Sequence, residues 1–194
     1  MKKLFIPVIL LCFVYAESEK TFTLNADNTV LRWTAEKVTG THWGYVKVEG
    51  GSVVVKGKKI LTGECIVDMS TIMVMDMKDS PYREKLENHL RSSDFFDTEN
   101  HSKVSLIIID ASHKGNSVQI AGELTIKGIT HSVEFPAVVK FSNNGATAKG
   151  QIKIDRTLYD IKYRSGKYYP DIGDKMIYDV FKLDFEVDSK VYVP

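Results

Sequence analysis

The chain has 194 residues, with 26 Lys and Arg against 25 Asp and Glu and a formal net charge of +1. A balance so near neutral supplies no long-range pull toward nucleic acid or an anionic membrane, and it sets both aside as partners. The length suits one domain with a sizeable core.

The first sixteen residues read as a secretory signal peptide. Lys2 and Lys3 lead an uncharged apolar run over residues 4–14, and Val14-Tyr15-Ala16 ends in a small residue suited to cleavage. The run is too short to span a membrane. Its removal leaves 194 − 16 = 178 residues and takes the formal charge from +1 to −1, since two lysines leave with it. A lipoprotein would instead keep Cys12 as its acylated first residue, but Leu11 stands where a small side chain is wanted. Cys65 is then alone, which precludes an intrachain disulfide. Its setting in Glu64-Cys65-Ile66-Val67 reads as a small buried strand residue. The expected product, residues 17–194, is soluble and periplasmic or secreted.

Strand signals then recur at short intervals. Residues 21–24 and 30–38 come first, the latter carrying Trp33. Residues 43–48 and 52–55 follow, divided by Glu49-Gly50-Gly51, which reads as a turn. Residues 60–69 form a further strand. From Pro81 the pattern changes to a helix: Tyr82, Leu86 and Leu90 fall four apart on one face, and Glu87 precedes Arg91 in the favourable i,i+4 order. The helix breaks into Ser92-Ser93-Asp94 and delivers the adjacent Phe95 and Phe96, a candidate lid. Residues 103–109 resume the β pattern, with apolar side chains on both faces over residues 106–109.

Residues 117–126 alternate cleanly, Lys127-Gly128 turns the chain, and Val133, Phe135, Ala137, Val139 and Phe141 alternate again. After an Asn143-Asn144-Gly145 turn, residues 148–154 and then Phe181, Leu183, Phe185 and Val187 complete the set. Many strands joined by short turns, without repeating helices, exclude a parallel α/β sheet and leave an antiparallel barrel or a sandwich.

Chemistry-bearing patterns are sparse. No nucleophile elbow or phosphate-binding glycine loop is present, and the five histidines stand at no metal-pair spacing, so the chain does not read as an enzyme. Met69, Met73, Met75 and Met77 crowd nine residues. They suit either an adaptable apolar mouth or, as soft ligands, a copper site. Bases and aromatics interleave from Arg156 to Tyr169 in a manner that can stack nucleobases, but the interspersed acids favour a hairpin with amphipathic tyrosines. Apolar residues on both strand faces suit a barrel enclosing a lined cavity or a solid core with the helix packed across one end, and periodicity does not separate the two.

Five stretches in order carry a resemblance: Gly40-Thr41-His42-Trp43-Gly44, then His89 through Asp97, then Gly122 through His131, then Asp155-Arg156-Thr157, and last Gly173 through Asp179. Together, over about residues 21–188, they resemble the YceI-like family. The resemblance implies a single antiparallel lipocalin-like β-barrel with one short helix beside the opening. It further implies an apolar tunnel for an isoprenoid, isoprenoid-quinone or fatty-acyl lipid, with no catalytic residues. The fit is poorer over residues 71–79. Alternation then assigns Trp33, Trp43, Phe95, Phe96, Phe135, Phe141, Phe181 and Phe185 to the tunnel wall, and amphipathic type assigns His42, Arg156 and Tyr163 to the lipid head. A lipid ligand is expected in place of any cofactor or metal, with no nucleic acid partner and no stable membrane insertion; a homodimer is open. The alternatives are a periplasmic copper-binding protein and a stress-related module with no small ligand.

Overall fold

The computed structural model describes residues 17–77, 79–115, 117–142 and 144–192. The expected signal peptide, with Cys12, lies outside these residues, as does Asn143 of the expected turn. Nine strands form one sheet: β1 (Glu19–Leu24), β2 (Val30–Lys37), β3 (Gly40–Lys56), β4 (Lys59–Val74), β5 (Lys103–Lys114), β6 (Ser117–Ile126), β7 (Ile129–Phe141), β8 (Gly145–Asp155) and β9 (Val180–Val191). A helix, α1 (Tyr82–Arg91), lies between β4 and β5.

The sheet closes on itself. Each strand from β3 to β9 pairs antiparallel with the next, β9 pairs with β2, and β2 returns to β3. β1 and β2 share one position in this ring at two heights. β1 lies against residues 52–56 of β3 and 189–191 of β9, whereas β2 lies against residues 40–46 and 182–186 of the same two strands. The barrel therefore has eight strand positions, and closure removes the exposed sheet edges that an open sheet would carry.

Three expectations are corrected. Glu49-Gly50-Gly51 is not a turn; β3 runs through it as one long strand with a bulge between Val48 and Gly50. The glycine serves close approach instead, since a Cβ on Gly51 would collide with the Glu64 carbonyl oxygen and come within 2.7 Å of Leu24 Cδ1. Residues 156–169 form no hairpin. A 3-10 helix (Arg156–Tyr159) opens an irregular loop over residues 156–179, begun by the Asp155 carboxylate accepting from the Thr157 N–H at 2.9 Å and its hydroxyl at 2.7 Å. Asp160 and Arg164 then take φ of 58° and 52°, which reverses the chain without a ladder.

The third correction concerns α1. Leu86 and Leu90 face inward, but Tyr82 in the first turn is 65% exposed. Glu87 and Arg91 do not pair with each other; both reach the backbone of β4. Glu87 Oε1 accepts the Val74 N–H at 2.8 Å, and Arg91 Nη2 donates to the Ile72 carbonyl at 2.6 Å. These two bonds fasten the helix across the end of β4. Strand direction puts α1 and the loop of residues 156–179 at the same end of the barrel, where Phe95 meets Tyr163.

Candidate functional site: an apolar cavity along the barrel

Alternation turns one face of every strand inward. On β6, Val118, Ile120, Leu124 and Ile126 are buried; on β7, so are Phe135 and Ala137. These inward faces do not fill the barrel. A cavity of about 240 Å³ runs inside it, with walls drawn from all eight strand positions, from the α1 end and from the loop. An apolar cavity of about 150 Å³ holds the six carbons of a benzene ring, so roughly ten methylene-sized groups fit here.

The aromatic wall is largely as alternation assigned it. Trp33, Phe95, Phe96, Phe135, Phe141, Phe181 and Phe185 all border the cavity. Phe135 and Phe185 meet edge to face at 5.6 Å between centroids, and Phe96 meets Phe181 at 6.3 Å. Phe95 is buried at the α1 end, between His89 at 4.9 Å and Tyr163 at 5.5 Å. Phe96, its neighbour, is only half-buried. Trp33 is held by its indole N–H, which donates to the Met73 carbonyl at 3.2 Å.

Trp43 is not part of the wall. Inward positions on the first half of β3 are Gly44, Val46 and Val48, so Trp43 points outward, beneath the Arg32 guanidinium at 4.5 Å. The three residues assigned to a lipid head are committed elsewhere. His42 Nδ1 lies 2.7 Å from Asp76 Oδ2, and Asp76 Oδ1 accepts the Trp43 N–H at 2.9 Å. His42 borders a shallow depression with Met77, Tyr82, Lys85, Leu86 and His89, apart from the cavity wall. Tyr163 stacks behind Phe95 and against His89 at 4.6 Å.

Arg156 does border the cavity, but its five N–H groups are taken. Nη1 donates to the carbonyls of Ile161 and Tyr163, both at 2.9 Å. Nη2 donates to the Ile177 carbonyl at 2.9 Å and to Asp179 Oδ1 at 3.5 Å, and Nε donates to the Tyr178 carbonyl at 3.2 Å. The guanidinium carries five donors in all, so it acts as the knot of the loop. Burial lowers its pKa, against the opposing pull of Asp179 and Asp155.

Sequence reasoning missed several wall residues that arrive from irregular segments, among them Ile161 and Ile177. It also missed Met69, Cys65 and Val67 as cavity residues, although their alternation along β4 was a usable signal. The methionine cluster disperses: of its four members, Met69 lines the cavity and Met77 the shallow depression. Among the described residues, no group of three or more His, Cys, Asp or Glu is gathered to hold a metal ion. No described helix is long and apolar enough to cross a membrane.

A closed antiparallel barrel around a lined apolar cavity defines a ligand-binding protein of lipocalin-like fold. The family model for the YceI-like domain matches residues 22–189, and the chain belongs to that family. Among curated proteins, a UPF0312 protein of Staphylococcus epidermidis is 40% identical over 87 residues, covering 41% of this chain and 48% of its own length. A UPF0312 protein of Staphylococcus aureus is 36% identical over 87 residues with the same coverage. The match thus spans about half the length of these relatives.

Among solved structures, Burkholderia cenocepacia BcnA superposes with a TM-score of 0.69 at 15% identity, covering 85% of this chain and 98% of that one. A polyisoprenoid binding domain from Saccharophagus degradans, implicated in plant cell wall breakdown, gives 0.63 at 13%, covering 88% and 98%. The Campylobacter jejuni YceI protein gives 0.56 at 13%, with both chains covered completely. At these identities the likeness is one of fold.

Proposed function

We propose that this protein is an exported carrier that holds one long apolar lipid, of isoprenoid type, inside the barrel and releases it unchanged. The observation that carries the proposal is the cavity itself, continuous along the barrel and walled by apolar side chains. An apolar tail left in water costs about 0.8 kcal/mol per methylene. Ten such groups transferred into the barrel recover on the order of 8 kcal/mol, comparable with an association cost of roughly 4–15 kcal/mol. Burial of the tail supplies the driving force for retention, and the length and bends of the cavity set selectivity. The polyisoprenoid binding domain that shares the fold supports the ligand class. Lys2 and Lys3, the apolar run and Ala16 support export with cleavage after residue 16.

The test is native mass spectrometry of full-length protein expressed in a bacterium and purified without detergent, followed by organic extraction. A stoichiometric lipid, together with a rise in Tm on adding an isoprenoid to stripped protein, is the expected result. Empty barrels and an unmoved Tm would sink the proposal. N-terminal sequencing of the same material checks the cleavage site.

A further inference from the structure

Resting on the carrier function proposed above, we infer that the loop of residues 156–179 docks reversibly on an anionic phospholipid surface. Tyr168 and Tyr169 seat among the headgroups, Arg164 and Lys167 meet lipid phosphates, and the cavity loads and unloads there. Six of the twelve exposed large apolar or aromatic side chains of the described residues lie in or directly against this loop. Leu158, Tyr168, Tyr169 and Tyr178 belong to it, and Val180 follows it. Val38 is joined to it through its N–H, which donates to the Met176 carbonyl at 3.1 Å. Single exposed apolar residues are ordinary on a protein surface, whereas a concentration at one end of a barrel marks a contact site.

The tip of the loop supplies the charge. Residues 161–170 hold Lys162, Arg164 and Lys167 and no acid, although the chain as a whole is near neutral. Lys162 is paired with Asp160, but among the described ion pairs none holds Arg164 or Lys167. The cations lie instead over tyrosine rings: Arg164 over Tyr163 at 5.1 Å, and Lys162 and Lys167 over Tyr168 at 5.2 and 5.7 Å. The tip is a built structure around the fully buried Ser165. The Ser165 carbonyl accepts the N–H groups of Tyr168 at 3.1 Å and Tyr169 at 2.8 Å, and its Oγ accepts that of Lys167 at 3.2 Å. The Arg164 carbonyl accepts the Ile177 N–H at 2.9 Å, which ties the tip to the returning arm of the loop.

Tyrosine pairs an apolar ring with a hydroxyl that stays wet, and it concentrates where a bilayer's headgroups meet its tails, with Lys and Arg reaching out to the phosphates. Such cations act within a Debye length of an anionic surface, so the contact needs no net charge on the whole chain. Asp171 and Asp174, exposed beyond Pro170, limit that attraction and keep the contact reversible. Tyr178 connects this surface to the cargo, since it borders the cavity and is also 47% exposed. The cavity wall therefore reaches solvent within the docking loop. A tail leaving the barrel here passes into lipid without exposing its methylenes to water.

Protein purified from the expressing bacterium, with its N-terminus sequenced, is sedimented with vesicles of phosphatidylcholine alone or with added phosphatidylglycerol. Binding to the anionic vesicles that weakens as salt is raised is the expected result. Arg164→Gln plus Lys167→Gln is expected to lower the partition coefficient about tenfold or more, and Tyr168→Ser plus Tyr169→Ser by a similar factor. Both variants leave residues 1–16 and the cavity wall unchanged, and both should keep the parent's Tm and its lipid content on extraction. Their transfer of bound lipid to acceptor vesicles is expected to slow in step with the lost binding. Three results would overturn the inference and leave the carrier function standing: a parent that binds neither vesicle, a parent that binds both alike at low and high salt, or either folded variant binding and transferring as the parent does. A parent that sediments with vesicles yet yields no lipid on extraction would overturn the carrier function and the exchange inferred from it.

Discussion

The indole of Trp33 lies against the bare backbone of Gly44, its register partner across the β2–β3 ladder. A Cβ on Gly44 would sit 2.9 Å from Trp33 Cζ2 and would collide with the Met73 carbonyl oxygen. That same carbonyl accepts the Trp33 N–H. The glycine is therefore required by packing of the cavity wall, between two strands and an aromatic plate, and not by a turn.

Gly44→Ala should accordingly destabilise the barrel by about 2 kcal/mol or more, because the clash is with β4 backbone that cannot rotate away. Urea unfolding followed by Trp fluorescence measures this. The red shift of Trp33 emission in the folded variant is expected alongside it. A variant as stable as the parent would show that β4 yields at Met73.

Phe95 and Phe96 should separate into two roles. Phe95 is buried between His89 and Tyr163, so Phe95→Ala should cost about 3 kcal/mol of stability through the cavity it leaves. Phe96 is half-buried against Phe181, so Phe96→Ala should cost less than half as much and release bound lipid several-fold faster. Paired measurements of urea midpoint and lipid dissociation rate decide the matter. Equal stability losses with unchanged release would make both residues ordinary packing.

Arg156→Met should loosen the loop of residues 156–179 and cost about 3 kcal/mol or more, since four carbonyls and Asp179 lose a buried partner together. Arg156→Lys should recover little, because an ammonium offers three donors without the planar fork. Hydrogen exchange at residues 161–178 is the readout. Protection that survives in either variant would show that the ties of the loop to β2, such as the Tyr178 N–H to Glu36 carbonyl bond at 3.0 Å, suffice.

Stability should fall at alkaline pH through Cys65. Its thiol titrates near 11 when folded, against an ordinary 9.0, chiefly because it is buried. As pH rises the unfolded chain loses this proton first, so it binds fewer protons than the folded chain and stability declines. The contribution is whole below about pH 9 and is lost between about 9 and 11, amounting to roughly 3 kcal/mol. Cys65→Ala should remove that extra slope. Parallel decline of parent and variant over this range would contradict it.

Much of this architecture was legible before any tertiary contact was known. The alternation over residues 117–126 matches β6 residue for residue, and Phe135, Phe141, Phe181 and Phe185 point inward as their spacing requires. The failures have a common origin. Gly50-Gly51 and the bases near Tyr163 carry local signals that are ambiguous between a turn, a bulge and a hairpin. Trp43 illustrates the same limit in one strand: its size and aromaticity suggest an inward position, yet the next residue along β3, Gly44, holds that position and makes room for Trp33.

What the sequence by itself determined is an antiparallel all-β chain, a barrel or a sandwich, with one helix and apolar residues on both faces of several strands; the choice of a barrel came with the family resemblance. The strands and their apolar faces follow from period-two alternation and from composition, which are local properties of the chain. Only the tertiary structure decided that the interior stays open and where its polar residues lie. Whether Arg156 meets a ligand depends on carbonyls up to 22 residues away, at Tyr178, Ile177, Tyr163 and Ile161. Side-chain type states what an arginine can bind; the fold of the loop states that its donors are already used.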